Sequence, residues 1–273
     1  MLISTIVLLL SFVPFIYSYE KRGTKAREVV LLAVMSSLTV VSNLVCAYTV
    51  PFHAGTAMVI ITGVALGPQS GFLVGAISRF VSNFFMGQGA WTAWEMFAWG
   101  LLGALAGIMF NKVELIGHLD DKKQVYRKQL QSGISVVISP LVCLVVAEVT
   151  GYIHFLFTSK TGEIFFGWRL YVFGIIGVLA GVILQRKKMP ANYVTMTVFT
   201  FISVFVVYGG IMNLAAFFMT RSVYEGGLDS LLLLYVTGAP YDIMHAFTAA
   251  ICVFLFGDNI TRKIERVKVK YGV

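Results

Sequence analysis

Six ionisable side chains stand inside long apolar runs of this chain, where a charge costs about 2.5 to 3.5 kcal/mol on insertion scales. Arg79 lies in "GAISRFVSNFF", Glu95 in "WTAWEMFAWG", Glu148 and His154 in "VAEVTGYIHFLF", and Asp242 and His245 in "APYDIMHAF". Residues of these types at membrane depth bind a polar ligand, carry a proton, or pair as a structural ion bridge. Asn83 follows Arg79 by four residues, so it shares a helix face with it and extends one polar stripe. Asn213 in "YGGIMNLAAFF" falls, with Asp242 and His245, in the same half of its span as Arg79 does. Polar side chains from several helices converging at one depth are what a water-filled binding cavity requires. For each residue alone, a helix–helix hydrogen bond is the simpler role.

Arg79 and Glu95 flank a short turn. At 1.5 Å per residue the first lies about 10 Å and the second about 6 Å below it, so the two can meet. They form a structural bridge or they bind substrate. An interior guanidinium needs an acceptor, which favours a ligand with a carboxylate, amide or phosphate; that preference lapses if Glu95 is the acceptor. Asp242 and His245, three residues apart, could serve a membrane enzyme as an acid/base pair, but no nucleophile or metal cluster stands beside them. In a stand-alone secondary carrier, Glu148 or Asp242 would be a proton site.

The turn itself reads "MGQGAWTAWEMFAWG", residues 86–100. Gly87 and Gly89 permit backbone angles that other residues avoid, leaving Gln88 to face solvent or a ligand. Trp91 and Trp94 fit an interfacial aromatic belt or a wall on which a ligand stacks. Thr92, three residues before Glu95, can cap the following helix.

These residues must be positioned by membrane helices. The chain has 273 residues, 58% of them apolar and 12% charged, with a mean hydropathy of +0.84. Apolar runs recur at about 2–9, 29–50, 54–68, 70–86, 91–110, 132–157, 170–185, 192–219 and 230–256, most of them long enough to span as tilted helices. The expected fold is an all-α polytopic transmembrane bundle. The first run, continued to Tyr19, has no basic residues before it and no A-x-A-like site, so it reads as a retained helix. Residues 221–230 read as a short loop, 231–238 as an interfacial stretch, and Pro240 as the start of the last span.

Basic residues cluster at 21–27, 112–128, 186–188 and in the tail after 261, which together hold 17 of the 21 Lys and Arg. Alternating spans put all four clusters on one side, cytoplasmic by the positive-inside rule, with the N-terminus outside and the C-terminus inside. The net charge of +8 then attracts anionic lipid and calls for no nucleic acid. Cys46, Cys143 and Cys252 stand singly, so neither a disulfide framework nor a metal site is expected. No phosphate-binding loop, zinc motif or nucleophile elbow is present, and no cofactor is expected; energy for transport would come from a partner. Small residues mark close helix approach at Ala33 and Ser37 and at Gly100, Gly103 and Gly107 in "GLLGALAG", an element echoed by "GIIGVLAG" at 174–181.

Residues 65–107, together with "REVVLLAVMSSLTVVSN", "YGGIMN" and "PYDIMHAFTAAICVFLFGDNITRKIERVKVKYGV", resemble the substrate-binding S component of energy-coupling factor (ECF) vitamin transporters. The Gly-Gln-Gly-x-Trp-Thr-x-Trp turn resembles a branch related to carriers of corrinoids or their precursors. The resemblance implies a six-helix core, 28–111 plus 191–273, with an added helix at 1–19 and an inserted pair and polar loop within 112–190. It implies a plasma-membrane protein that captures a vitamin-like molecule outside, partnered by a scaffold membrane subunit and two ATPases, with no catalysis of its own. Ala33 and Ser37 would meet the scaffold. His53, Gln88, Trp91, Glu95, Asn213 and Asp242 are the implied ligand contacts, beside Arg79, Asn83 and His245 from the cavity argument. A secondary carrier, or a membrane enzyme, is the alternative.

Overall fold

Every residue from Gly55 to Ala65 is buried, and a helix apolar on all sides belongs in the middle of a bundle. In a computed structural model of the chain this segment, α3 (Ala54–Leu66), is wrapped by α2 (Ala26–Thr49), α4 (Pro68–Met86), α5 (Thr92–Met109), α10 (Leu228–Cys252) and α11 (Asp258–Tyr271). The structure describes residues 2–21, 25–49, 52–110, 141–159, 168–184, 188–224 and 228–272. The polar loop expected at 112–130, residues 132–140 of the sixth run, and Arg22, Arg186 and Lys187 lie outside the described residues.

The remaining helices are α1 (Leu2–Glu20), α6 (Leu141–Thr158), α7 (Trp168–Leu184), α8 (Tyr193–Ser203) and α9 (Gly209–Tyr224). Two π turns, Val204–Tyr208 and Val253–Gly257, join α8 to α9 and α10 to α11. Six rods thus form the centre: α2, α3, α4, α5, α8–α9 and α10–α11. The all-α expectation holds, and among the described residues no strand forms; an isolated bridge ties Phe110 to Met189. Five described helices are long and apolar enough to cross a membrane, which makes the chain a multi-pass membrane protein. Equally long, α4 is not among them, because Gln69, Arg79 and Asn83 lower its apolarity.

Glycine sets the tightest packing. A Cβ at Gly103 would lie 2.3 Å from the Gly71 carbonyl oxygen, and one at Gly63 would lie 2.1 Å from that of Gly103. The backbones of α3, α4 and α5 therefore touch, as the small residues of "GLLGALAG" predict. The echo behaves alike, since a Cβ at Gly177 would stand 2.7 Å from Leu144 Cα on α6. On one flank α1 packs on α4 and α5, with Phe15 stacked on Phe72 at 3.8 Å between ring centres. On the other flank α7 packs on α10 and on the first π turn.

Two expectations are corrected. The loop expected at 221–230 is shorter, since α9 runs to Tyr224 and α10 starts at Leu228. Pro240 does not begin a span: α10 starts at Leu228 and runs through it, so 231–238 is helix. The missing N–H forfeits one backbone bond, and the long apolar stretch on both sides outweighs that cost.

At one end of the bundle Lys25 and Arg27 donate to the carbonyls of Gly272 and Tyr271, and Lys268 Nζ donates to Ala65 O at the end of α3 (2.8 Å). Lys188 and Lys268 line one recess there. Lys25, Arg27, Lys188 and Lys268, drawn from the first, third and fourth basic clusters, therefore share one end.

Candidate functional site

The opposite end of the bundle holds a cavity of about 620 Å³, within the size range of small-molecule sites. Its walls come from the end of α2 (Asn43, Cys46), the start of α3 (His53), the facing sides of α4 and α5 (Arg79, Glu95, Trp99), the first π turn and α9 (Tyr208, Asn213), and α10 (Tyr241, Asp242, His245). Partly exposed Phe52, Met86 and Tyr241 stand at its rim.

The turn between α4 and α5 is built as a clamp. Gly87 takes a φ of +106°, a left-handed conformation suited to glycine. Gly89 does not; there the constraint is space, since a Cβ would lie 2.4 Å from the Trp91 ring. Gln88 is exposed and does not line the cavity. It donates to Phe80 O (3.1 Å) and accepts from Thr92 Oγ1 (2.8 Å). Thr92 is not the cap, because α5 begins after Trp91; its hydroxyl accepts instead from Gly89 N–H (3.1 Å). Trp91 covers the turn and does not line the cavity. Trp94 is buried and stacks on Phe218 (5.8 Å between ring centres), so it is an interior packing residue. The tryptophan of the cavity is Trp99.

Arg79 and Glu95 meet. Arg79 Nη2 donates to Glu95 Oε1 in a salt bridge, and Asn83 Nδ2 donates to Glu95 Oε2 (2.8 Å). Asn83 thus holds Glu95 from behind. Because Glu95 supplies the acceptor, the preference for a ligand with a carboxylate, amide or phosphate lapses. The guanidinium also lies over Trp99, 5.2 Å from the ring centre.

Asp242 and His245 do not act on each other. Asp242 Oδ2 accepts from Tyr171 Oη of α7 and from Asn213 Nδ2 (2.7 Å). His245 Nε2 shares a hydrogen bond with Thr56 Oγ1 (2.9 Å), and His53 Nδ1 shares one with Thr248 Oγ1 (2.7 Å). The two imidazoles stack at 3.9 Å, and Tyr208 abuts His245 edge-on at 4.6 Å. Glycines make the space: a Cβ at Gly209 would stand 2.7 Å from Asp242 Cγ, and one at Gly238 2.3 Å from Asn213 Oδ1. Among the described residues that line the cavity, Arg79 Nε, Trp99 Nε1 and His245 Nδ1 are buried without a hydrogen-bond partner. Buried polar atoms are seldom left so unless a ligand or water serves them.

Of the residues anticipated, His53, Arg79, Glu95, Asn213, Asp242 and His245 share the cavity. Asn83 supports it, and Gln88 and Trp91 stand outside. Asn43, Trp99, Tyr208, Tyr241 and, behind Asp242, Tyr171 were not anticipated. Glu148 lies on α6, where its Oε1 is 3.1 Å from the place of a Cβ at Gly174. No group of three or more possible metal ligands occurs among the described residues. Ala33 and Ser37 sit on the exposed side of α2, one turn apart.

Residues 23–155 match the family described as ECF-type riboflavin transporter, S component. Over this stretch the chain is similar to ECF S components. The matched segment contains Ala33, Ser37, His53, Arg79, Asn83 and Glu95. It supports the S-component resemblance and not the corrinoid-related branch. Two UPF0397 proteins of Aliivibrio fischeri, strains MJ11 and ES114, are each 31% identical over 106 residues, 36% of this chain and 57% of theirs. A UPF0397 protein of Aliivibrio salmonicida is 30% identical over 109 residues, 37% of this chain and 58% of its own. The chain thus spans little more than half the length of these curated relatives. No solved structure matches it.

Proposed function

We propose that this chain is the membrane-embedded, substrate-binding subunit of an ECF-type importer and that it captures a vitamin-like small molecule in the cavity. The observation that carries this reading is the cavity itself. It sets polar side chains into a largely apolar wall, it is built jointly by the S-component-like helices α2–α5 and by α9–α10, and three buried polar atoms of its lining await a partner. Binding rather than catalysis suits the separate engagement of Asp242 and His245. The cavity end faces outside and the basic end faces the cytoplasm, following the positive-inside rule. The exposed Ala33/Ser37 stripe of α2 is then the docking face for a scaffold subunit, which two ATPases power. The helices α1, α6 and α7 are additions to a six-rod core.

The test is to purify the protein in detergent and analyse by mass spectrometry what accompanies it, with riboflavin as the first added probe. One bound small molecule per chain, lost in Arg79→Ala, supports the reading. A protein that carries nothing and takes up no vitamin from a panel refutes it.

A further inference from the structure

We infer that the cavity selects a substrate carrying a positively charged nitrogen and that Asp242 is the residue that selects it. This rests on the binding-subunit reading above and adds the ligand's charge class.

The cavity's other charges cancel or are absent. Arg79 and Glu95 neutralise each other in their ion pair. His53 and His245 stack ring on ring at 3.9 Å, where two imidazoliums would repel, and each bonds a threonine hydroxyl. Asp242 differs. Both groups that donate to its Oδ2, the Tyr171 phenol and the Asn213 amide, are uncharged. Among the described residues its Oδ1 takes no hydrogen bond, and no cationic side chain pairs with it. Asp242 is only 5% exposed, so little water offsets its charge, and a buried carboxylate without a counter-ion is costly. A cationic ligand supplies that counter-ion.

The surroundings fit the same chemistry. Tyr208, Trp99, Phe52 and Tyr241 bring four aromatic rings to this cavity, and aromatic faces attract desolvated organic cations. The donors Arg79 Nε and Trp99 Nε1 remain for acceptor atoms elsewhere on the molecule. The ligand class is therefore a small aromatic or heteroaromatic cation that also carries hydrogen-bond acceptors.

Ligand-stripped protein is titrated calorimetrically with thiamine and 1-methylnicotinamide as cationic probes, riboflavin and nicotinamide as neutral ones, and biotin as an anion. Any molecule that co-purifies is identified and its charge at pH 7 assigned. The expected result is binding of a cation, weakened at least about tenfold in Asp242→Asn, the loss of one buried charge contact. Tyr241→Ala, at a rim position 65% exposed where truncation does not disturb folding, weakens it about fivefold through the lost ring. If Asp242→Asn does not fold, Asp242→Glu, which keeps the charge and moves it, takes its place, with the same loss of cation binding expected. A neutral or anionic ligand, or a cation whose affinity neither variant changes, overturns this inference and leaves the binding subunit standing. A protein that binds no probe and brings no molecule with it overturns both.

Discussion

Replacing Glu95 by glutamine tests whether the centre of the site is held by a buried ion pair. The side chains of Arg79 and Glu95 are 13% and 10% exposed, so solvent screens them little. Removing one partner of such a pair leaves the other charge buried alone, at about 3 to 5 kcal/mol. The introduced amide would retain one acceptor oxygen for two donors, Arg79 Nη2 and Asn83 Nδ2, and would turn its own N–H₂ toward one of them. The expected loss is about 3 kcal/mol, or roughly 6 to 12 °C in Tm. Exchanging both partners for apolar residues, Arg79→Met with Glu95→Leu, removes the stranded charge and should cost only about 1 kcal/mol. Thermal unfolding of the detergent-solubilised Arg79→Met, Glu95→Leu and double variants closes a double-mutant cycle, with Glu95→Gln measured beside it. A Glu95→Gln protein within about 0.5 kcal/mol of the parent, or single effects that simply add, would refute the buried-pair argument.

Three further outcomes are expected. Gly103→Ala drives a methyl toward the Gly71 carbonyl, 2.3 Å away, and should cost about 3 kcal/mol by overpacking, read as lowered Tm. Tyr171→Phe removes the phenol from Asp242, costing about 1.5 to 3 kcal/mol for a bond to a charged group and weakening ligand binding as the carboxylate loses its position. Ala33→Trp, on the exposed face of α2, should change stability by less than about 0.5 kcal/mol, leave ligand occupancy intact and abolish co-purification with scaffold and ATPase subunits.

The residues that could be read from sequence were those whose chemistry is out of place in lipid. Arg79, Glu95 and Asp242 announce themselves by charge, and helix rise alone brought the first two together. Asn83 followed from its four-residue spacing, although its role is to hold Glu95. The aromatic members were not legible. Trp99, Tyr208 and Tyr171 sit in apolar runs where a ring serves a core, a belt or a site equally well, and only the packing of other helices decides. Gln88 is exposed as a polar turn residue ordinarily is, and its amide is spent on Phe80 O and Thr92 Oγ1, so of its two readings the ligand-facing one is not met. Pro240 misled because proline favours helix starts, yet α10 passes through it. The π turn at Val204–Tyr208 left no mark that periodicity could detect, and it is the segment that carries Tyr208 to the cavity.

The phenol of Tyr171 also bears on how far this protein can be pared down. Of the helices outside the six central rods, α7 alone sends a side chain to Asp242, and that side chain is 1% exposed. Trimming α6 and α7 to engineer a compact version would not be a silent deletion. It would strip one of two donors from Asp242 and open a water path to its carboxylate, so a minimal design has to graft a hydroxyl onto α9 or α10 before the flanking helices are dispensable.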